Sequence, residues 1–115
     1  MSQRLIPHPI PPPLADLIAE RFRVIGDATR IRLLDHLRGG DASVGELTDA
    51  LGTTQQNVSK HLGVLLRAGI VTRRKVGTQA RYAIADPSVL ALCDEVCGGL
   101  RRRIEELGAI AGVGG

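Results

Sequence analysis

Residues 53–69 read Thr53-Thr54-Gln55-Gln56-Asn57-Val58-Ser59-Lys60-His61-Leu62-Gly63-Val64-Leu65-Leu66-Arg67-Ala68-Gly69. Val58, Leu62, Leu65 and Leu66 recur at the i, i+4, i+7, i+8 spacing of one helix face. Thr54 can cap the start of that helix, and Gly69 can end it in a left-handed turn. The opposite face is polar yet nearly uncharged: Gln55, Gln56, Asn57, Ser59 and Lys60, with His61 at its flank. A helix that merely faces water usually carries Glu–Lys pairs. Amides, hydroxyls and a cation instead suit a major groove, where base edges offer donors and acceptors between rims of phosphate. The stretch therefore reads as a recognition helix, with Thr54, Gln55, Gln56, Asn57, Ser59, Lys60 and His61 as candidate DNA contacts. An ordinary amphipathic surface helix is the competing reading.

The flanking residues favour the first reading. Upstream, Ser43-Val44-Gly45-Glu46 is a capping box that opens a short helix through Leu51, and Gly52 closes it. Two short helices joined by so tight a turn, the second with a polar face, form a helix-turn-helix. Downstream, Ile70–Lys75 and Ala80–Ile84 flank Val76-Gly77-Thr78-Gln79 and predict a hairpin. Its Arg73, Arg74, Lys75 and Arg81 make it a candidate basic wing lying on the DNA backbone. Residues 53–85 hold six basic and no acidic residues; of the chain's net +3, this leaves −3 for everything else. One basic surface on an otherwise mildly acidic protein is the footprint of a nucleic-acid binder.

Two further helices precede this unit. Leu14, Leu17, Ile18, Phe22 and Ile25 share one side of a helix that Gly26 ends. Asp27 then caps another, Ala28 to about Arg38, with Ile31, Leu34 and Leu37 as core positions and Leu33 beside them. Before them, Ile6-Pro7-His8-Pro9-Ile10-Pro11-Pro12-Pro13 makes residues 1–13 a proline-rich arm. After the hairpin, Asp86-Pro87 is a strong helix start. Leu90, Cys93, Cys97, Leu100, Ile104 and Leu107 then follow at alternating spacings of three and four, a coiled-coil-like seam. The folded domain is thus expected over residues 14–107, with residues 108–115 a glycine-rich tail.

The 115-residue chain has only Phe22 and Tyr82 as aromatics, so its core must be aliphatic and small. A second copy could complete it through Leu14, Leu17, Ile18 and Phe22 of the first helix and the seam of the last. No stretch is long and apolar enough to span a membrane, and no basic-then-apolar signal segment opens the chain. The expectation is a cytoplasmic protein with reduced thiols. Asp, Glu, Cys and His are not gathered into an acid–base or nucleophile set, and there is no phosphate loop. An enzyme is therefore not expected, and no resident cofactor is required.

Taken in order, these motifs resemble the ArsR/SmtB family of winged-helix repressors. The residues that carry the likeness are Ile25-Gly26-Asp27-Ala28-Thr29-Arg30-Ile31-Arg32-Leu33-Leu34, Gly45-Glu46-Leu47, Ala50-Leu51-Gly52, Val58-Ser59-Lys60-His61-Leu62, Arg67-Ala68-Gly69-Ile70-Val71 and Tyr82. The resemblance implies a mainly α, dimeric winged helix-turn-helix of order ααααββα, joined through its first and last helices. It also implies repression of a double-stranded operator and release by an inducer. The family's inducer sites do not carry over. Ser43 and Gly45 stand where some members have a cysteine pair. Asp86 matches a zinc-type ligand, but Ser88, Gly99 and Arg102 occupy its partners' positions. The wing also departs, with Thr78 where an arginine is common.

What remains is Cys93 and Cys97, four apart and on one side of the last helix. They are candidate sensor thiols for a soft metal, arsenite or reactive sulfur. Equally, they can be small hydrophobes that fill a dimer seam. Their register fits both. Two alternatives to an inducer-released repressor follow: a regulator of the same type that senses neither metal nor thiol reagents, and an interaction module using the last helix and the proline arm.

Overall fold

The computed structural model describes residues 6–111, with side chains through residue 108. Prolines set its first boundary. Helix α1 is Pro12–Ile25, two residues longer at its start than expected. Pro12 and Pro13 occupy its first two positions, where a missing N–H costs no intrahelical hydrogen bond. The arm thus ends at Pro11 rather than at residue 13, and its first five residues lie outside the described residues.

The expected caps open the next helices. Asp27 accepts from the Arg30 N–H at 3.1 Å and starts α2, Ala28–Leu37. Ser43 and Glu46 form the reciprocal capping box of α3, Val44–Leu51, and Gly52 ends it at φ 67°. Thr54 accepts from the Asn57 N–H at 3.1 Å and starts α4, Gln55–Arg67. Gly69, at φ 75°, lets the Ile70 N–H return to the Leu65 carbonyl at 3.0 Å and closes that helix.

The sheet has one strand more than expected. Ala42–Ser43 is β1, ahead of α3, and Val71–Val76 and Gln79–Ile84 are the hairpin strands β2 and β3. Their order is β1-β3-β2, all antiparallel, with Ala42 opposite Tyr82 and Ser43 opposite Arg81. Two residues are too few to show the alternation that marks a strand in sequence. In the hairpin, Val71 pairs with Ile84 through to Val76 with Gln79, so the loop is only Gly77-Thr78.

Helix α5 is Ser88–Ala111, one residue beyond the expected Asp86-Pro87 start and four beyond the expected end at Leu107. The Asp86 carboxylate accepts from the Ser88 N–H at 3.0 Å, so it still caps the helix. Gly108 through Ala111 are therefore helical rather than tail, and residues 112–115 lie outside the described residues.

Among the described residues, the buried hydrophobic cluster is entirely aliphatic, and Ser43 and His61 are the buried polar side chains. The cluster joins Leu33, Leu34 and Leu37 of α2, Leu47 and Leu51 of α3, and Val58, Leu62 and Leu65 of α4 to Ile70 and Val71 at the base of the wing. Among the described residues, α1 adds only Ile25 to this fully buried set and α5 only Val89. Ile31, expected in the core, is 41% exposed and faces the gap towards α5; Leu33 takes its place. The Cα radius of gyration of 17.2 Å exceeds the roughly 13 Å typical of a compact chain this long. Two long helices extending from a small core account for the difference.

Candidate nucleic-acid interface

The capped start of α4 fixes which way its polar side chains project. Gln55, Gln56, Ser59 and Lys60 are exposed and together line one shallow, open concavity. They fall within one and a half helical turns, so four side chains can reach adjacent base edges at once. The Thr54 hydroxyl accepts the capping bond and keeps its own O–H free to donate.

Two residues expected beside them are committed elsewhere. Asn57 is half-buried, and its amide donates to the Thr53 hydroxyl at 3.1 Å. It braces the turn that presents the helix. His61 is 7% exposed and turns inward between Val58 and Leu65, with Nδ1 3.8 Å from an Asp27 carboxylate oxygen. That nitrogen has no hydrogen-bond partner among the described residues. A side chain so placed cannot reach a groove, so the expected DNA contact at His61 is corrected to a core position. Leu66, expected on the core face, is correspondingly displaced to the edge and exposed. The Asp27 carboxyl lies below its usual range, chiefly because the Arg30 backbone N–H donates to it, with the charges of His61 and Arg30 assisting against desolvation.

The wing divides its basic residues by strand alternation. Arg74 and Arg81 face each other across β2 and β3, on the side towards the loop before β1. Asp41 sits between them, with Oδ2 3.0 Å from Arg74 and Oδ1 3.0 Å from Arg81 Nε. Arg81 also donates to the Asp41 carbonyl at 3.1 Å and lies 3.1 Å from Glu46 Oε1. Hydrogen bonds from Arg74 and Arg81 hold the Asp41 carboxyl below its usual range, and Asp41 in turn raises Arg81. Arg81 was expected on phosphate; its guanidinium is tied to α3 and to the β1 approach, an arrangement that suits a structural role. Arg73 and Lys75 are exposed on the other side of β2. With Lys60 and Arg67 they make no salt bridge among the described residues.

Sequence reasoning missed both acidic partners, Asp27 and Asp41. A signal for Asp41 was present. A two-residue hairpin loop forces Arg74 opposite Arg81, and like charges directly opposed on a sheet call for a counter-charge.

Helices α1 and α5 leave apolar side chains uncovered. Leu17, Ile18 and Phe22 on α1 and Val96, Leu100, Ile104 and Leu107 on α5 are exposed, while Leu14, Leu90 and Cys93 are half-buried. A cavity of about 490 Å³ between α1, α2 and α5 is lined by Phe22, Ile31, Cys93, Val96, Cys97 and Leu100, among others. Cys93 packs against the core and burial pushes its thiol up, whereas Cys97 is exposed one turn further on. Among the described residues, no three His, Cys, Asp or Glu side chains of one subunit converge as a metal site would require. No helix among them is long and apolar enough to cross a membrane.

The comparisons with known proteins agree with this geometry. A helix-turn-helix domain family matches residues 25–74. The uncharacterized HTH-type transcriptional regulator Rv0081 of Mycobacterium tuberculosis is 43% identical over 81 residues, covering 70% of this chain and 71% of that protein. The HTH-type transcriptional repressor SmtB of the same organism is 39% identical over 80 residues, or 68% of this chain and 59% of that protein. Among solved structures, the homodimeric winged helix-turn-helix DNA-binding domain of Mb0332 from Mycobacterium bovis, described as a possible ArsR-family regulator, superposes with a TM-score of 0.71. It is 28% identical and covers 81% of this chain and 86% of that one.

Proposed function

Since this chain belongs to the ArsR/SmtB family of winged helix-turn-helix transcriptional repressors, we propose that it acts as a cytoplasmic homodimer on a pseudo-palindromic operator and lets go when an inducer arrives. The observation that carries the DNA-binding half is the exposed, uncharged polar face of α4, with Gln55, Gln56, Ser59 and Lys60 side by side. Thr54 and the wing's Arg73, Arg74 and Lys75 flank it as backbone contacts. Two such helices, related by a two-fold axis, would have to lie about 34–36 Å apart to enter successive major grooves on one DNA face.

The uncovered apolar faces of α1 and α5 support the dimer. Neither contributes more than one side chain to the fully buried core, so a protomer alone would leave Phe22, Leu100 and Ile104 in water. The family resemblance assigns the same two helices to the interface, with Leu14, Leu17, Ile18 and Phe22 meeting Leu90, Cys93, Cys97, Leu100, Ile104 and Leu107.

Cys93 and Cys97 are the proposed handle for a soft metal, arsenite or a reactive-sulfur inducer. Both line the hollow beside the proposed interface. The raised Cys93 thiol means that a ligand must draw out the thiolate itself, as a bound metal does by displacing the proton. A packing role has its own support at Cys93, which is half-buried against the core.

The test is a gel shift on the chain's own promoter region, repeated over a salt series and with each inducer class. Operator binding should weaken steeply with salt. Replacing both cysteines with alanine should preserve retardation and abolish release. Absence of retardation at any salt overturns the repressor reading, and unchanged release from the double variant overturns the thiol handle alone.

A further inference from the structure

The geometry points to Asp41 as a specificity-determining residue: an internal stand-in for phosphate that keeps Arg74 from binding DNA backbone indiscriminately. This rests on the DNA-binding reading above and adds a residue that no resemblance assigns.

Arg74 and Arg81 are directly opposite in the β2–β3 register, and each reaches Asp41 at 3.0 Å. Two guanidiniums on one carboxylate are arranged as two guanidiniums on one phosphate would be, with charge-assisted hydrogen bonds to separate oxygens. The two arginines are not equivalent. Arg81 is 22% exposed and has four acceptors around it, Asp41 Oδ1, the Asp41 carbonyl, Glu46 and the Gln79 side-chain oxygen. Arg74 is 71% exposed and has a single acceptor, Asp41 Oδ2. The first is fixed and the second is exchangeable.

An exposed ion pair is weak and screened by salt. Phosphate can therefore displace Asp41 from Arg74, but only where the rest of the surface holds the backbone in place long enough. On an operator, base contacts from α4 supply that residence. On random DNA they do not, and Asp41 competes successfully. The carboxylate thus subtracts one phosphate contact per subunit from non-specific binding more than from specific binding. Arg81 meanwhile keeps Asp41 in position, since it joins the loop before β1 to β3 by both side chain and main chain.

The test replaces Asp41 with Asn, which keeps shape and one acceptor for Arg81 but removes the charge. Random-sequence DNA should bind the Asp41→Asn protein more tightly and with a steeper salt dependence. One released phosphate contact per subunit adds about 0.9 to the slope, so a dimer loses roughly tenfold more affinity than wild type between 50 and 200 mM salt. Operator affinity should rise less, so the specificity ratio falls. Adding Arg74→Ala should remove the gain, whereas Glu46→Gln, which of the two arginines contacts only Arg81, should not reproduce it. Asp16→Asn on exposed α1 matches the change in net charge at a distance from the wing. Elution from heparin reads the same release without an operator: Asp41→Asn should leave at higher salt than Asp16→Asn. If those two elute together, or if the steeper slope persists after Arg74→Ala, the assignment is wrong. Loss of all retardation by the wild-type protein, with the heparin difference intact, instead removes the repressor reading and leaves the clamp. Should Asp41→Asn fail to fold, Arg74→Lys serves. It shortens the reach to Asp41 and weakens the pair, so it should also raise random-DNA affinity, and a fall would refute the clamp.

Discussion

Leu100→Ala should weaken the proposed dimer by a calculable amount. Leu100 is 56% exposed in the protomer and lines the hollow between α1 and α5. Fully burying a leucine is worth about 1.5–3 kcal/mol, so covering the exposed 56% contributes about 0.8–1.7 kcal/mol per subunit. A two-fold interface counts the residue twice, giving about 1.7–3.4 kcal/mol for the pair. At 1.4 kcal/mol per decade this predicts a dimer dissociation constant raised about 20- to 300-fold. Leu100→Glu should exceed that range, because it would also bury two like charges. Sedimentation velocity across nanomolar to micromolar concentration measures the shift directly. Circular dichroism should show the helix content of both variants retained, because Leu100 lies outside the aliphatic core. A wild-type protein that sediments as a monomer at micromolar concentration refutes the dimer. A Leu100→Glu protein that sediments with wild type refutes the placement of its interface.

Gln56→Ala should change which operator sequences are selected from a randomised pool, by about 1–3 kcal/mol at one base pair if the amide contacts an adenine in bidentate fashion; an unchanged selection would remove Gln56 from base readout. Arg81→Ala should lower the melting temperature while barely altering the salt slope of binding, and Arg74→Ala should do the reverse. If both variants change the slope alike, Arg81 is a phosphate contact after all. Acid should destabilise the fold in a definite window. Asp27, Asp41 and Asp86 are all held below their ordinary 3.8, and Glu46 below 4.5, by hydrogen bonds to the charged form. Depressed folded values mean that their stabilisation is complete above the ordinary values and is lost as pH falls through the folded ones. Melting temperature should therefore be flat near neutrality and fall below about pH 4.5, less steeply in Asp41→Asn; a melting temperature that holds or rises there contradicts the ion network.

Local chemistry made most of the fold legible. Asp27, Ser43, Thr54 and Asp86 each place a side-chain oxygen where orphan N–H groups need one, and all four cap as written. Gly52 and Gly69 stop helices by taking a backbone conformation that other residues resist. The errors arose where spacing alone could not choose. Val58, His61, Leu62 and Leu65 satisfy the i, i+3, i+4, i+7 pattern better than the set containing Leu66, but a histidine amid polar neighbours reads as surface until Asp27 is placed beside it. Ile31 and Leu33 are both apolar, and only the packing of α2 on α4 decides which is enclosed. β1 and Asp41 depend on contacts far apart in sequence, across 33 and 40 positions to Arg74 and Arg81. The hairpin register calls for a counter-charge beside the two arginines, but no local pattern names the residue that supplies it.

The division within α5 bears on how an inducer could be read at all. Val89 is buried, Leu90, Leu92 and Cys93 pack against the core, and Arg38 at the end of α2 donates to Asp94 at 3.0 and 3.2 Å. Val96, Leu100, Ile104 and Leu107, further along the helix, are exposed instead. One helix therefore has a first part that moves with the DNA-binding core and a second part available to a partner. Cys93 stands on the first side of that border and Cys97 on the second. A ligand bridging sulfurs across the proposed seam would pull the partner-facing part against the anchored one. Since α2 joins α5 through Arg38–Asp94 and packs on α4 through Leu33, Leu34 and Leu37, the strain would reach the recognition helix through rigid contacts. Two discrete dimer packings, rather than any change in Gln55 or Gln56 themselves, would then set operator affinity. On this reasoning Asp94→Asn, which loosens the link between α5 and α2, should reduce the release produced by a thiol reagent while leaving inducer-free operator binding intact. Equal release from Asp94→Asn and wild type would show that the signal does not travel through this bridge.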